Sequence, residues 1–427
     1  MSILKDMAEL LKAEVITQET ADRIQDYYKN KSGSSTNRLF LVFGIFGAIL
    51  VGLGIILIIA HNWDELSRTT KTFFAFLPLF IGQVLCGFAL IRKQDSIAWR
   101  ESATSFLFFS VGASISLVSQ IYNIPGNLSS FLLTWMLLCF PLIYVMKSSV
   151  ASLLYLIGIT YYACETNYWS YLPSGSYLYW VLLLSALPHY YLLYKKKPIG
   201  NFMIFHNWII PLSVVITLGT VANTMEELMF IAYISLFGLL YLIGDRDFFI
   251  HQKQRNNGYR ILGSLGTIVL LLMLSFDWFW EGLRGKDLQF NEVITAPEFF
   301  ASAIISLLAA GLLYVHQKNK PLNNIQPLAP IFILFIITFT LGLYSSIAVV
   351  LINIFVFAIG ILTIRDGAKR DHLGILNYGL LIITALVICR FFDTDLSFVI
   401  RGIMFVSVGA GFFAANYWML KKRRTNG

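Results

Sequence analysis

The stretch His61-Asn62-Trp63-Asp64-Glu65 gathers an imidazole, an amide, an indole and two carboxylates within five residues. Far along the chain, Arg390, Asp393, Asp395 and Arg401 combine two guanidinium groups with two carboxylates. Asp64 and Glu65 are of the type that takes a proton as a general base. His61 and Asp64 could touch a cation, but their spacing is not that of a zinc site. The two arginines suit an anion, which a planar guanidinium binds through paired donors. A structural alternative stands beside each reading. Arg390 reaches Asp393 at i,i+3, Arg401 can meet Asp395, and Trp63 belongs at a membrane interface whatever its neighbours do. His61, Asn62, Asp64, Glu65, Arg390, Asp393, Asp395 and Arg401 are therefore candidates for ligand binding. No residue is assigned a catalytic role, and no metal or cofactor is expected.

The elements that must hold these residues are apolar helices. Of 427 residues, 57% are hydrophobic and 13% charged, with mean hydropathy +0.69. That charge content is about half that of a soluble domain, where roughly 25% is usual. Apolar runs near the ~20 residues that cross a bilayer recur along the chain. The expected fold is an all-α bundle of fourteen spans. They cover 39–61, 72–91, 103–121, 128–146, 149–168, 176–194, 202–222, 226–243, 259–279, 296–316, 328–344, 346–364, 372–392 and 398–419. The shortest turns, near Lys147 and Ser345, are where two runs could merge or one could re-enter.

Ahead of the spans, residues 1–37 read as a helical hairpin and linker outside the membrane. Thr17 is placed to cap its second helix, and residues 38–427 form the membrane domain. With the N-terminus inside, twenty-six of the 32 lysines and arginines fall on inward connections and tails. Six fall outward: Arg68, Lys71, Arg284, Lys286, Arg390 and Arg401. This alternation predicts both termini on the cytoplasmic side of a bacterial inner membrane. It also accounts for the basic balance, so nucleic acid is not an expected partner; membrane lipids are. Twelve of the 24 acidic residues lie outward, which insertion does not require. The outer helix ends are thus the expected place for a polar cavity.

Small residues four apart mark close packing in the first span (Gly44, Ala48, Gly52) and the last (Ser407, Gly411, Ala415). Pro78, Pro141, Pro188 and Pro211 fall inside runs, where they remove a backbone donor. The four cysteines sit in or at the ends of apolar runs and read as small buried side chains. Trp169, Trp278 and Trp280 are expected at headgroup depth. A second His-Asn-Trp, at His206 to Trp208, reads as coincidence. No phosphate loop, serine-hydrolase elbow, zinc-protease motif or dinucleotide fingerprint is present.

The segments "ITQETADRIQDYY" (16–28) and "GIFGAILVGLGIILIIAHNWDELSRTTK" (44–71) resemble a bacterial family of predicted polytopic membrane proteins of unknown function. Its N-terminal module has a short soluble helical part, then a Gly-rich first span ending in Asn-Trp, here Asn62-Trp63. His61 stands where the family has a small residue. Residues 377–424, with Arg390, Asp393 and Arg401, resemble the family's closing segment. The family has no established activity, so the resemblance implies an architecture and no catalytic residue. The expected function is that of a transporter or flippase with an outward-facing polar cavity for a small-molecule or lipid-linked ligand. The alternatives are a structural or regulatory membrane component, and an intramembrane enzyme acting on a lipid-linked envelope substrate through Asp64 and Glu65.

Overall fold

The computed structural model describes residues 63–170, 177–249, 252–284, 290–318 and 326–391, with parts of 10–26 and 397–417. These fall into two compact units, 1–76 and 77–427, each taken by itself below. The first span, 39–61, lies outside the described residues, as does most of the linker.

In the first unit Thr17 caps a short helix as its sequence predicts. Its Oγ1 accepts from Thr20 N at 3.3 Å and its carbonyl accepts from Ala21 N at 3.0 Å. Trp63–Glu65 is a single 3₁₀ turn, and the Lys71 ammonium lies 5.8 Å from the Trp63 ring centre. Helix α1 (Arg68–Arg92) begins just beyond it.

The second unit is helical throughout its described part. After α1 come α2 (Ile97–Tyr122), α3 (Leu128–Val145), α4 (Ser149–Asn167), α5 (Tyr177–Lys196) and α6 (Asn201–Leu218). Then follow α7 (Met229–Gly244), α8 (Gly258–Met273), α9 (Asp277–Arg284), α10 (Phe290–Thr295) and α11 (Pro297–Gln317). Helices α12 (Ile331–Gly342), α13 (Ile347–Lys369) and α14 (Leu373–Phe391) close it. Polar caps cut the apolar runs where bilayer-spanning segments must turn. Ser96 starts α2, Asn127 and Ser130 form a reciprocal capping box on α3, Ser148 starts α4 and Asn257 starts α8. The turn at Lys147 is real and does not fuse its neighbours. Pro78, Pro141, Pro188 and Pro211 all lie inside helices that continue through them.

Among the described residues, eight helices are long and apolar enough to cross a membrane, and the bent pair α8–α9 makes a ninth candidate. The protein is an all-α polytopic membrane bundle. The expected spans 149–168 and 176–194 form α4 and α5, which are not among these eight, and two further spans differ in form. The run 259–279 is broken by a 75° bend between α8 and α9, because Asp277 starts a new, strongly two-faced helix. The run 328–344 contains a helix of only 12 residues.

Two apolar cores meet at α7. One centres on Tyr155, Tyr179 and Ile210 of α4, α5 and α6; the other on Trp280, Phe335 and Phe339. In α7, 72% of the most apolar stretch is buried, against 11% in α11. Helix α7 is thus the hub, and the bare apolar surface of α11, with Leu307 and Leu308 exposed, suits a hydrocarbon surrounding.

Candidate functional site

Four of the eight sequence candidates lie among the described residues. His61, Asn62, Asp393 and Asp395 lie outside the described residues. Asp64 and Glu65 are exposed on their 3₁₀ turn in the first unit. Arg390 and Arg401 belong to the second unit, and both rest on aromatic rings. The Arg390 guanidinium lies 4.5 Å from the Phe276 ring centre and donates to Ser275 Oγ at 3.2 Å. It thereby braces the α8–α9 bend; the expected pair with Asp393 lies outside the described residues. Arg401 sits between Phe391 and Phe398, at 5.7 and 5.0 Å. Among the tryptophans, Trp169 and Trp278 are exposed, as interface residues should be. Trp280 is fully buried and donates to Leu274 O at 2.8 Å, which corrects its assignment to the interface. The 75° bend turns it inward.

A different group of residues converges among helices α2 to α6. A cavity of about 330 Å³ is bounded by the start of α2, the α3–α4 turn, the end of α5 and the start of α6. Arg100, Lys147, Lys196 and Lys197 supply its charge, Ser149 and His189 its neutral polar groups, and Ile97, Ile143 and Leu192 part of its apolar wall. Among the described residues none of the four cations forms an ion pair. Arg100 Nε is buried without a hydrogen-bond partner.

Glu101 fixes the cavity floor. Its carboxylate is almost fully buried and wholly engaged at the start of α4. Oε1 accepts from Ser149 N at 3.0 Å, and Oε2 accepts from Val150 N at 3.0 Å and from Ser148 Oγ. The carboxylate thus satisfies orphan amides at a helix N-terminus, where negative charge is also favoured. These donors are neutral and do not cancel the carboxylate's charge, so Glu101 offsets one of the four cations and the cavity lining keeps a net positive balance.

Lys147 is held at the cavity by its backbone. It stands at φ 49°, in the left-handed region, just after the end of α3, and Ser148 N closes the turn onto Ile143 O at 3.2 Å. Asparagine tolerates that region, as Asn123 does at the end of α2. Lysine does not, so a charged side chain is kept where glycine would sit more easily. Lys147→Gly is expected to raise stability by about 1 kcal/mol, read as a higher thermal midpoint in detergent. A lower midpoint would show that the lysine side chain holds the turn.

From the cavity a polar seam runs along α4. Ser149 Oγ lies 3.4 Å from His189 Nε2. One turn on, Ser152 Oγ is 2.9 Å from His206 Nε2, whose Nδ1 is 2.7 Å from Phe202 O. Tyr155 OH is 3.3 Å from Ser185 Oγ. Thr160 Oγ1 and Tyr179 OH each lie 2.6 Å from Ser213 Oγ. At the far end Asn167 Nδ2 donates to Thr220 O at 3.3 Å. Neither His189 nor the second His-Asn-Trp was given a role by the sequence reading. His206 and Asn207 are fully buried and partnered, Asn207 accepting from Tyr190 OH at 2.7 Å. The available signal was a run of Ser149, Ser152, Tyr155 and Thr160 at near-helical spacing.

The same end of the bundle carries a second polar knot. Asp245 meets Arg260 at 3.3 Å, His316 at 3.0 Å and Gln326 Nε2 at 2.7 Å. Beside it a cavity of about 270 Å³ is lined by Arg260, Ser264, Asp366 and Tyr378 among others. Cys86, Cys139 and Cys164 are buried free thiols, as their apolar surroundings suggest. Among the described residues no cluster of three or more His, Cys, Asp or Glu side chains could hold a metal ion.

No curated protein and no solved structure matches the chain. Residues 8–152 match the model of a family described as "Predicted membrane protein (DUF2157)". That range includes both N-terminal segments on which the family resemblance was seen, together with α1, α2, α3, Glu101 and Lys147; residues 377–424 lie beyond it. Over its N-terminal third, then, the chain is similar to a predicted membrane protein family of unknown function, and the cavity floor lies within the matched stretch.

Proposed function

We propose that this membrane protein is a transporter or flippase whose ligand carries an anionic group taken up at the basic cavity. The observation that carries the reading is the pairing of that cavity with the polar seam along α4. A basic pocket between helices suits a lipid or solute anion, and the seam offers polar partners through an otherwise apolar layer. Polar groups inside a membrane bundle are costly unless they serve packing or passage. In the orientation set by the lysines and arginines, the cavity opens to the cytoplasmic side of a cell membrane. The candidate ligand residues Asp64, Glu65, Arg390 and Arg401, with His61, Asn62, Asp393 and Asp395, would then stand at the outer, release side.

Reconstitution tests this directly. Proteoliposomes holding the full chain and a fluorescent phosphatidylglycerol are bleached with dithionite from outside. The expected result is bleaching well beyond half of the probe, returning to the protein-free level in a Lys196→Glu, Lys197→Glu variant. Bleaching that stops at half with the native protein would leave the structural or regulatory reading. Conversion of the probe to a new lipid would favour the enzyme.

A further inference from the structure

We propose that the basic cavity binds an oxyanion together with one proton, and that the proton is taken by His189. This rests on the reading of the cavity as an anion site and adds the coupled ion. The ring of His189 is buried at the cavity wall. The groups facing it are Arg100 and Glu101 from α2, Tyr144 from α3, Lys147 from the α3–α4 turn, Lys196 at the end of its own helix, Lys197 just beyond it, and His206 from α6. Four of these are cations. Glu101 is held by the first amides of α4 and lies opposite the ring across Ser149.

In the empty cavity the ring is buried and the four cations outnumber the single carboxylate of Glu101, so a further positive charge is disfavoured. An oxyanion placed between Arg100 and the lysines reverses the local field, and the imidazole then gains by accepting a proton. Binding of the two ions is reciprocal, each raising the affinity for the other by the same factor. The neighbouring histidine is a poorer acceptor. His206 has both ring nitrogens engaged, one by Phe202 O and one by Ser152 Oγ, and its rings lie 6.0 Å from those of His189. Among the described residues the hydrogen-bond contact of the His189 ring is a long one, to Ser149 Oγ at 3.4 Å. The proton would come from the aqueous side with the ligand, with no covalent chemistry.

The apolar wall of Ile97, Ile143, Leu192, Leu193 and Phe202 makes a head group with acyl chains the favoured form of the oxyanion. A free oxyanion shares the same chemistry at the charged end. Calorimetric titration of the purified full chain in detergent separates the two. The probes are dihexanoyl-phosphatidylglycerol and inorganic sulfate, neither of which titrates near pH 7. Each titration is run in two buffers of different ionisation enthalpy, which reads the protons taken up on binding.

The expected result is uptake of up to about one proton per bound anion, and an affinity that weakens about tenfold as pH rises through neutrality. In His189→Gln binding should persist, with no uptake and a flat pH profile. Tighter binding of the phosphatidylglycerol than of sulfate assigns the site to a lipid head group; the reverse assigns it to a free oxyanion. Binding without proton uptake by the native protein, or uptake unchanged in His189→Gln, overturns the proton proposal and leaves the anion site standing. No binding of either probe overturns the anion site and the proton with it.

Discussion

Glu298→Ala is expected to lower the stability of the detergent-solubilised protein by about 3–5 kcal/mol. Glu298 is fully buried in the first turn of α11, and one of its oxygens, Oε1, receives three successive backbone amides. Thr224 N donates at 2.8 Å, Met225 N at 3.1 Å, and Asn223 N also donates. Those amides belong to the connection between α6 and α7, so one carboxylate ties the hub helix to α11. Nearby, Ser302 Oγ donates to Leu228 O at 2.9 Å and repeats the tie one turn deeper. Alanine leaves three inward-pointing donors without an acceptor and a void where the side chain was. Glu298→Gln should recover at least half of the loss, because its amide oxygen can replace Oε1. Its NH₂ falls where Oε2 is now buried without a partner. An alanine variant within 1 kcal/mol of the native protein in denaturant unfolding would show that water or a local shift replaces the carboxylate.

Trp280→Ala is expected to cost a similar amount, about 3–5 kcal/mol. The indole is completely enclosed, tilts against Phe339 at 5.9 Å and donates to Leu274 O. Gly342 lies flat beneath it: a Cβ there would come within 2.1 Å of the ring. The glycine at the end of α12 is the space the indole fills, and removing the ring empties the second core. Trp280→Phe loses the hydrogen bond and part of the volume and should cost about 1–2 kcal/mol. Exposed Trp278→Ala serves as the control and should change stability by less than about 0.5 kcal/mol. Equal effects at 278 and 280 would mean that the indole of Trp280 does not hold the bend.

Hydropathy and turn chemistry made most of this fold legible. Lys147 and Ser148 end one run and cap the next, and Asn127 with Ser130 announces α3 in the same way. The bend at Asp277 was not legible, because 259–279 is apolar enough to read as one span. The i, i+4, i+7 spacing of Asp277, Glu281 and Arg284, which puts all three on one face of a helix, was the clue it hid. The acidic outer ends and misplaced arginines drew attention because charge is conspicuous in a greasy sequence. The basic cavity escaped notice because its lysines double as orientation signals, which leaves their type uninformative. What distinguishes Lys147 is a backbone angle, and what distinguishes Glu101 is a set of three donors on another helix. Neither can be read from one position. Glu298 was counted as outer acidity, whereas its charge is spent on backbone amides inside the protein.

Helix α12 carries a consequence for the surrounding lipid. Twelve residues rise only about 18 Å, whereas the hydrocarbon layer is about 30 Å thick. Phe332, Phe335 and Phe339 face the protein, but Ile333, Leu334 and Ile337 are bare on the other side. Where this short flank meets lipid, descent of the acyl chains and a locally thinner bilayer are the expected response. A pinched bilayer stores elastic energy, of the order of fractions of a kcal/mol for each ångström of mismatch. Short-chain lipids relieve it and sterol-thickened membranes increase it. The protein should therefore gather thin lipid around α12 and settle in the thinner regions of whatever membrane holds it.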